Sequence, residues 1–488
     1  MGGELTNPDK FDENVLSIYS VGDNSYGNIT YLNKKELNIK HLFLDNFYQC
    51  FAIDIYNNLY SWGLNNYYQL ANGKNSKYLF KTEDTNKNNF CMISSTNENT
   101  ISKTIKNLFS NIPPIPVTVS KIKSISCGDG FTIFLSSNGS VYSVGRNDKG
   151  QLGYELDNNS ACFVDGIKCN NKVTIIEFFI KNKINIESIA CGADFCLALE
   201  YIGSENDIEG NNKDSNKGIY SWGNNENHQL GIGRSKYKYY FNPKNSNLVN
   251  DLMNEQKTKI NKIICGWSHA CILTDKDEIY IWGNPFKEYD KKYKDIVSPI
   301  ELKLYDKKVD NLKILDISSG FNHIAALISK NSKNKHSMNE LYTFGGNEFG
   351  QLGYPTDEVY IDRFNKVEIP KSEINENLKI TKVACGAYHT IVLMGRKLIY
   401  GFGQNNCKQI GNFKEEFITT PKKWNYIIDN NREKFLYDIK CSNGITCLLF
   451  KNISQIKEIE DDNIKNEMEI QVNSFETENI ALKKNNLI

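Results

Sequence analysis

The sequence predicts an all-β fold: a seven-bladed β-propeller whose ring is closed by the N- and C-terminal strands of the chain. Three observations carry that prediction. A Tyr-x-x-Gly strand occurs seven times, a short apolar strand occurs seven times, and the two series are offset by half a repeat.

The Tyr-Gly series begins with IYSVGDNSYGNI at 18, LYSWGLNNYYQL at 59, VYSVGRNDKGQLG at 141 and IYSWGNNENHQLG at 219. It continues with IYIWGNPFKEYD at 279, LYTFGGNEFGQLG at 341 and IYGFGQNNCKQIG at 399. The shared glycines are Gly22, Gly63, Gly145, Gly223, Gly283, Gly345 and Gly403. The later ones recur about every 60 residues, within the range of propeller repeats. The shared glycine fits a close backbone approach between neighbouring sheets, and the glycines after it fit tight turns with positive φ. GGNEFG matches a phosphate-cradling Gly-x-Gly-x-x-Gly only superficially, because no helical period follows it.

The apolar series reads LDNFYQCFAI at 44, SCGDGFTIFL at 126, ACGADFCLAL at 190 and ICGWSHACIL at 264, then SSGFNHIAAL at 318, ACGAYHTIVL at 384 and KCSNGITCLL at 440. A continuous apolar run of this length suits a strand buried on both faces. A turn such as SSNG or TDKD joins it to the following Tyr-Gly strand as a hairpin. The first Tyr-Gly strand has no apolar strand before it, and the last apolar strand has no Tyr-Gly strand after it. Residues 15–30 and 439–450 are therefore expected to share one sheet, which leaves no loose terminal blade and no open edge. The propeller is placed at 15–450, after a flexible N-terminus at 1–14 and before a charged tail at 451–488.

The 488 residues are 40% hydrophobic and 12% aromatic, ample for a large core. Lys plus Arg and Asp plus Glu number 58 each, and this balance argues against a general polyanion binder. No apolar run approaches the ~20 residues of a membrane helix. The start, MGGELT, fits a myristoylation pattern with Gly2 as acceptor, although one acyl chain alone anchors weakly. The 13 cysteines show no CxxC spacing. Five of them, Cys127, Cys191, Cys265, Cys385 and Cys441, share one place in the repeat and read as small buried thiols. Neither a metal nor a cofactor is expected, and no nucleophile–base pair stands among the repeats.

The pairing of Cys-Gly-x-x-His-x-x-x-Leu with Tyr-x-Trp-Gly-x-Asn-x-x-Gly-Gln-Leu-Gly, seven times over, resembles the repeats of the regulator of chromosome condensation 1 family across about residues 15–450. The half-repeat offset is similar to that of its founding member, a guanine nucleotide exchange factor for the small GTPase Ran. The resemblance implies a monomer that binds a Ran-type GTPase through one propeller face, without covalent chemistry and without a catalytic residue. It also implies a nuclear location, and chromatin or histone contact through the propeller face, since residues 1–14 are too acidic for a basic tail. The wider family includes scaffolds and adaptors, so the alternative is a non-catalytic scaffold, cytoplasmic and membrane-associated if Gly2 is acylated. The tail after 452 leaves no room for the catalytic domain of the family's ubiquitin ligases.

Family exchange factors carry acidic loops on adjacent blades, reading Gly-Asp-Ser-His and Gly-Asn-Asp-His. The matching loops here are Gly128-Asp129-Gly130-Phe131 and Gly192-Ala193-Asp194-Phe195. The resemblance thus implies that Asp129 and Asp194 contact the GTPase, competing with phosphate for a lysine. As plain turn formers they would instead bond their own loops. His323, beside Asn322, best matches a functional family histidine. His269, His323 and His389 together read first as hydrogen-bonding between blades. Trp267, in the equivalent loop, would serve either as an interface anchor or as packing against the next blade. The family exchange factor also carries a wedge hairpin between the two acidic blades. Residues 145–171 keep a standard turn with no evident wedge, leaving room for a protrusion only around FVDGIK. Residues 83–111, 203–217 and 330–340 read as disordered insertions, and 284–299 as a solvated one.

Overall fold

The computed structural model describes residues 16–23, 39–44, 47–54, 57, 59–71, 91–94, 122–158, 161–201, 218–285, 295–304, 312–330, 339–370, 378–396, 398–424 and 434–452. Gly2, the segment 203–217 and the tail beyond 452 lie outside them. The chain opens with β1 (Ser17–Gly22) and builds its first blade from β2 (Ile39–Leu44), β3 (Gln49–Asp54), β4 (Leu59–Gly63) and β5 (Cys91–Ser94). The second blade is β6 (Ile122–Gly128), β7 (Phe131–Ser136), β8 (Val141–Arg146), and a hairpin of β9 (Cys162–Val164) and β10 (Ile167–Ile175). After the short helix α1 (Glu177–Lys181), the third blade comprises β11 (Ile186–Cys191), β12 (Phe195–Glu200), β13 (Ile219–Asn224) and β14 (Tyr239–Asn245). Helix α2 (Asn247–Gln256) precedes the fourth: β15 (Ile260–Cys265), β16 (His269–Thr274), β17 (Ile279–Gly283) and β18 (Ile296–Glu301).

The fifth blade is β19 (Leu312–Ser319), β20 (His323–Lys330), β21 (Asn339–Gly346) and β22 (Tyr360–Val367). The sixth is β23 (Ile380–Cys385), β24 (His389–Met394), β25 (Leu398–Gln404) and β26 (Phe417–Lys423). The seventh pairs β27 (Lys434–Ser442) with β28 (Ile445–Asn452), and β1 joins β28 in antiparallel register from Ser17↔Phe450 to Gly22↔Ile445. The ring is thus seven sheets closed by the two ends of the chain, as the half-repeat offset predicts. Parts of the expected insertions are blade: 91–94 and 296–301 are outer strands, while Lys330, Asn339 and Glu340 extend β20 and β21.

Two devices explain why the repeat folds this way. All seven shared glycines hold positive φ, between 94° and 121°. A Cβ on Gly345 would stand 2.3 Å from the Asn322 carbonyl oxygen, just before the paired strand of the same blade. The close approach is therefore first within a sheet, not between neighbouring sheets; a Cβ on Gly403 would meet Gln351 Cα of the preceding blade only at 3.2 Å. The second device couples blades. In the Gln-Leu-Gly turn, Asn147 Oδ1 accepts from Leu152 N–H and Ser143 Oγ donates to the Leu152 carbonyl. That leaves the Gln151 carbonyl facing outward, where buried Trp222 of the next blade donates to it at 2.9 Å. Trp282 repeats the contact with the Gln229 carbonyl, also at 2.9 Å. Tryptophan tolerates burial when its N–H is so satisfied.

The cores lie between blades. One cluster joins Phe131, Ile133 and Leu135 of the second blade to Cys196, Ala198 and Trp222 of the third. The inner strands surround a central channel of about 420 Å³. The residue after the loop glycine links each blade to the next: Asp129 N–H to the Ala193 carbonyl, Ala193 to Trp267, Trp267 to Phe321, Phe321 to Ala387 and Ala387 to Asn443. Ser442 Oγ extends the chain of links to the first blade by donating to the Phe47 carbonyl, and Gln49 Nε2 completes the circuit by donating to the Gly128 carbonyl at 3.0 Å. Inside this circuit Phe47, Trp267 and Phe321 pack ring on ring, with centroids 4.5 to 5.8 Å apart, as an aromatic plug at the hub.

Candidate functional site

The circuit fixes which face carries the acidic loops. Asp129 and Asp194 emerge beside the aromatic plug, on consecutive blades, and the structure brings them together through two cations that sequence reasoning missed. Arg146 Nη1 lies 3.2 Å from Asp129 Oδ2 and 3.4 Å from Asp194 Oδ1. The second approach is an ion contact without hydrogen-bond geometry, so buried Asp194 Oδ1 accepts no hydrogen bond. Lys149 Nζ contacts Asp194 Oδ2 at 2.5 Å, while Arg146 is held in a fork by Asp148 at 2.7 and 2.9 Å. Three carboxylates thus face two cations, a local excess of one negative charge.

Register explains the cluster. Gly145 pairs with Phe131, which sets Arg146 against the loop that holds Asp129. The Tyr67 ring, from the first blade, lies 5.9 Å from the guanidinium and fills the space beside Gly130, where a Cβ would come within 2.6 Å of the ring. Burial works against the Arg146 charge. The Asp148 hydrogen bonds and the charges of Asp194, Asp148 and Asp129 outweigh it and raise its pKa. Partial burial holds the Asp129 carboxyl above its ordinary range, against the pull of Arg146. Asp129 keeps 43% of its side chain exposed and Asp194 only 15%, so Asp129 is the accessible member.

Residues 162–175 fill the place where FVDGIK left room for a protrusion. β9 and β10 form a hairpin appended to the edge of the second blade, around a two-residue turn at Asp165 (φ 50°) and Gly166 (φ 79°). Val164 and Cys169 face inward and are buried, whereas Phe163 projects with 57% of its surface exposed. The signal was present: Asp-Gly between short apolar segments is the strongest short-range hairpin cue. The protrusion stands between the two acidic loops in chain order, and Asn147 N–H binds its Lys168 carbonyl, tying it to the ion cluster.

His323 is a correction of the opposite kind. It is fully buried, and its Nε2 is 3.0 Å from Thr390 Oγ1 in the next blade, so it has no surface to offer a partner. His269 and His389 make the same inter-blade bond to Ser319 Oγ and Thr446 Oγ1, at 3.1 and 3.0 Å. Trp267 is half-buried in the hub plug, which is the packing alternative. Among the described residues no group of His, Cys, Asp or Glu is arranged to hold a metal ion, and no helix is long and apolar enough to cross a membrane.

The ring-closed fold, with an ion cluster, an aromatic hub and a protruding hairpin on one face, is a propeller of the kind built from tandem blade repeats. Its kind is particular. The chain belongs to the regulator of chromosome condensation (RCC1) repeat family, whose sequence model matches residues 56–135, 138–199, 218–273 and 339–393. Among curated relatives, it is 25% identical over 313 residues to the ultraviolet-B receptor UVR8 of Arabidopsis thaliana, spanning 62% of this chain and 58% of the receptor. It is 24% identical over 319 residues to the secretion-regulating guanine nucleotide exchange factor of Bos taurus, covering 62% and 59% of the two chains. It is 25% identical over 332 residues to the probable E3 ubiquitin-protein ligase HERC3 of Homo sapiens, covering 59% and 28%. The chain therefore matches less than two thirds of each relative's length. Among solved structures, Prp20p of Saccharomyces cerevisiae, studied for its binding to Gsp1p and histones, superposes with a TM-score of 0.63 at 18% identity over 95% of this chain and 96% of that one.

Proposed function

We propose that this protein is a guanine nucleotide exchange factor for a Ran-type small GTPase, working through the face that carries Asp129, Asp194 and the β9–β10 hairpin. The observation that carries the reading is the hairpin: a protrusion with an exposed phenylalanine, beside paired acidic loops, at the position where exchange factors of this family bear their wedge. Such a factor needs no covalent chemistry. It holds the nucleotide-free GTPase more tightly than the loaded form, and by linkage lowers nucleotide affinity to the same degree. Asp129 would reach a lysine on the GTPase first, and Asp194 would follow by exchanging Lys149 for it. The part of Trp267 that the hub plug leaves exposed would meet the GTPase beside them. The family membership and the binding of Gsp1p and histones by Prp20p support a GTPase partner and a histone-bearing, nuclear setting.

One observation favours a non-catalytic scaffold instead: both aspartates are already ion-paired within the chain. The deciding experiment measures release of a fluorescent guanine nucleotide from Ran with the intact protein and with Asp129→Ala/Asp194→Ala. Acceleration that drops at least ~10-fold in the double variant, equivalent to about 1.4 kcal/mol of lost coupling, supports exchange at this face. An unchanged release rate with the intact protein rejects the Ran reading and leaves the scaffold.

A further inference from the structure

The cysteines at the end of the inner strands occupy equivalent places on successive blades, but their cross-strand neighbours differ. Cys127 faces Thr132, Cys265 faces Ala270, Cys385 faces Thr390 and Cys441 faces Thr446, whereas Cys191 faces Cys196. The two sulfurs of that pair are 3.6 Å apart. The Cys191 N–H donates across to Ser126 Oγ of the preceding blade rather than to its strand partner. The pair is therefore of the non-hydrogen-bonded type, with Cα atoms about 4.5 Å apart, inside the range that a disulfide bridges. Both residues are almost fully buried, and Cys191 is among the residues that line the central channel, the side from which a small solute would approach it. The four residues between them, Gly192 to Phe195, are the loop that presents Asp194.

We propose that Cys191 and Cys196 are a peroxide-oxidisable dithiol built beneath the Asp194 loop. Hydrogen peroxide entering the channel is attacked by Cys191 sulfur; the O–O bond breaks, one water leaves, and Cys191 becomes a sulfenic acid. Cys196 sulfur then displaces the hydroxyl group, the S–S bond forms, and a second water leaves. Two thiols have lost two protons and two electrons, and the peroxide has become two waters. Closing the sulfurs from 3.6 Å to about 2 Å tightens the base of the Gly192–Phe195 loop. This shifts Asp194 against Lys149 and Arg146. Only that last consequence, an altered partner contact, rests on the proposed function; the thiol chemistry does not.

The test uses the full chain, limiting hydrogen peroxide, alkylation of the remaining thiols and tryptic digestion. Peptide 184–213 contains Cys191 and Cys196 and no other cysteine. The expected result is that this peptide loses both alkylation sites and two hydrogens, while peptide 383–396, bearing Cys385, remains alkylated. A doubly alkylated peptide 184–213 at a peroxide dose that already modifies Cys385 overturns the proposal. Cys196→Ala is expected to fold, because Ala270 fills the equivalent place in the fourth blade. In that variant Cys191 should be trapped as a sulfenic acid by dimedone, and absence of the adduct also overturns the proposal. Nucleotide release by oxidised and reduced protein is measured separately, so failure of the exchange reading leaves the thiol result standing.

Discussion

Lowering the pH below neutrality should destabilise this propeller steeply, through three side chains that never meet solvent. Thr390 Oγ1 donates its proton to the Gln351 carbonyl, and Thr446 Oγ1 donates to the Gln409 carbonyl. Each hydroxyl therefore accepts from histidine Nε2–H, and His323 and His389 are neutral with Nδ1 bare. Nδ1 of all three histidines is buried without a partner, so a second proton would find no acceptor. Burial pushes the pKa of His269, His323 and His389 down to about 3, with the neighbouring histidines adding to the effect at His323. The unfolded chain protonates near 6.5, so it binds more protons than the fold between about pH 3 and 6.5. Stability is full above that window and falls as pH drops through it, by ~1.4 kcal/mol per pH unit and per histidine, about 4 for the three. At about pH 5 the combined loss is ~6 kcal/mol, comparable to the whole stability of many domains. The assay is the urea midpoint followed by tryptophan fluorescence from neutral to about pH 5, for the native chain and for His389→Phe. Phenylalanine already stands at this place in two blades, as Phe131 and Phe195. The variant should lose about a third of the histidine slope. An identical pH dependence in the variant refutes the reasoning.

Three further outcomes are expected. Gly345→Ala combines a φ of +111° with a Cβ 2.3 Å from the Asn322 oxygen and should destabilise by ~2–3 kcal/mol, whereas Gly166→Ala, with nothing within 4 Å, should lose only about 1; equal thermal shifts would sink the packing account. Trp282→Phe leaves the Gln229 carbonyl without its donor and should lower stability by ~1–3 kcal/mol in urea unfolding. Phe163→Ala removes a side chain that is 57% exposed, so its midpoint should stay within ~0.5 kcal/mol of native while any stimulated nucleotide release declines.

The ring was legible in the sequence because its determinants are local. A glycine forced to positive φ and an apolar strand announce themselves within ten residues, and seven copies average out the noise. The half-repeat offset even gave the closure of β1 on β28. The site was only half legible. Asp129 and Asp194 stood out against the repeat, but their partners Arg146 and Lys149 occupy two positions of the turn that vary among the copies. Their role exists only once Gly145 pairs with Phe131 and the third blade packs alongside. The β9–β10 hairpin was legible only as room for a protrusion around FVDGIK, because the three residues of β9 carry little periodicity, although Asp165-Gly166 marked the turn. The inter-blade hydrogen bonds of His269, His323 and His389 were legible from their recurrence, whereas His323 as a partner contact fails because the hub buries the start of β20.

Closure of β1 on β28 also sets a timetable for synthesis. Ser17–Gly22 leaves the ribosome more than 400 residues before its partner Ile445–Asn452. At about 5–20 residues per second, the strand waits on the order of a minute with its hydrogen-bonding edge unclaimed. During that interval six blades can assemble in order, but the arc stays open. A polysome making this protein therefore holds many copies of the same bare strand side by side, and the emergence of β28 decides whether each finds its own chain or a neighbour's.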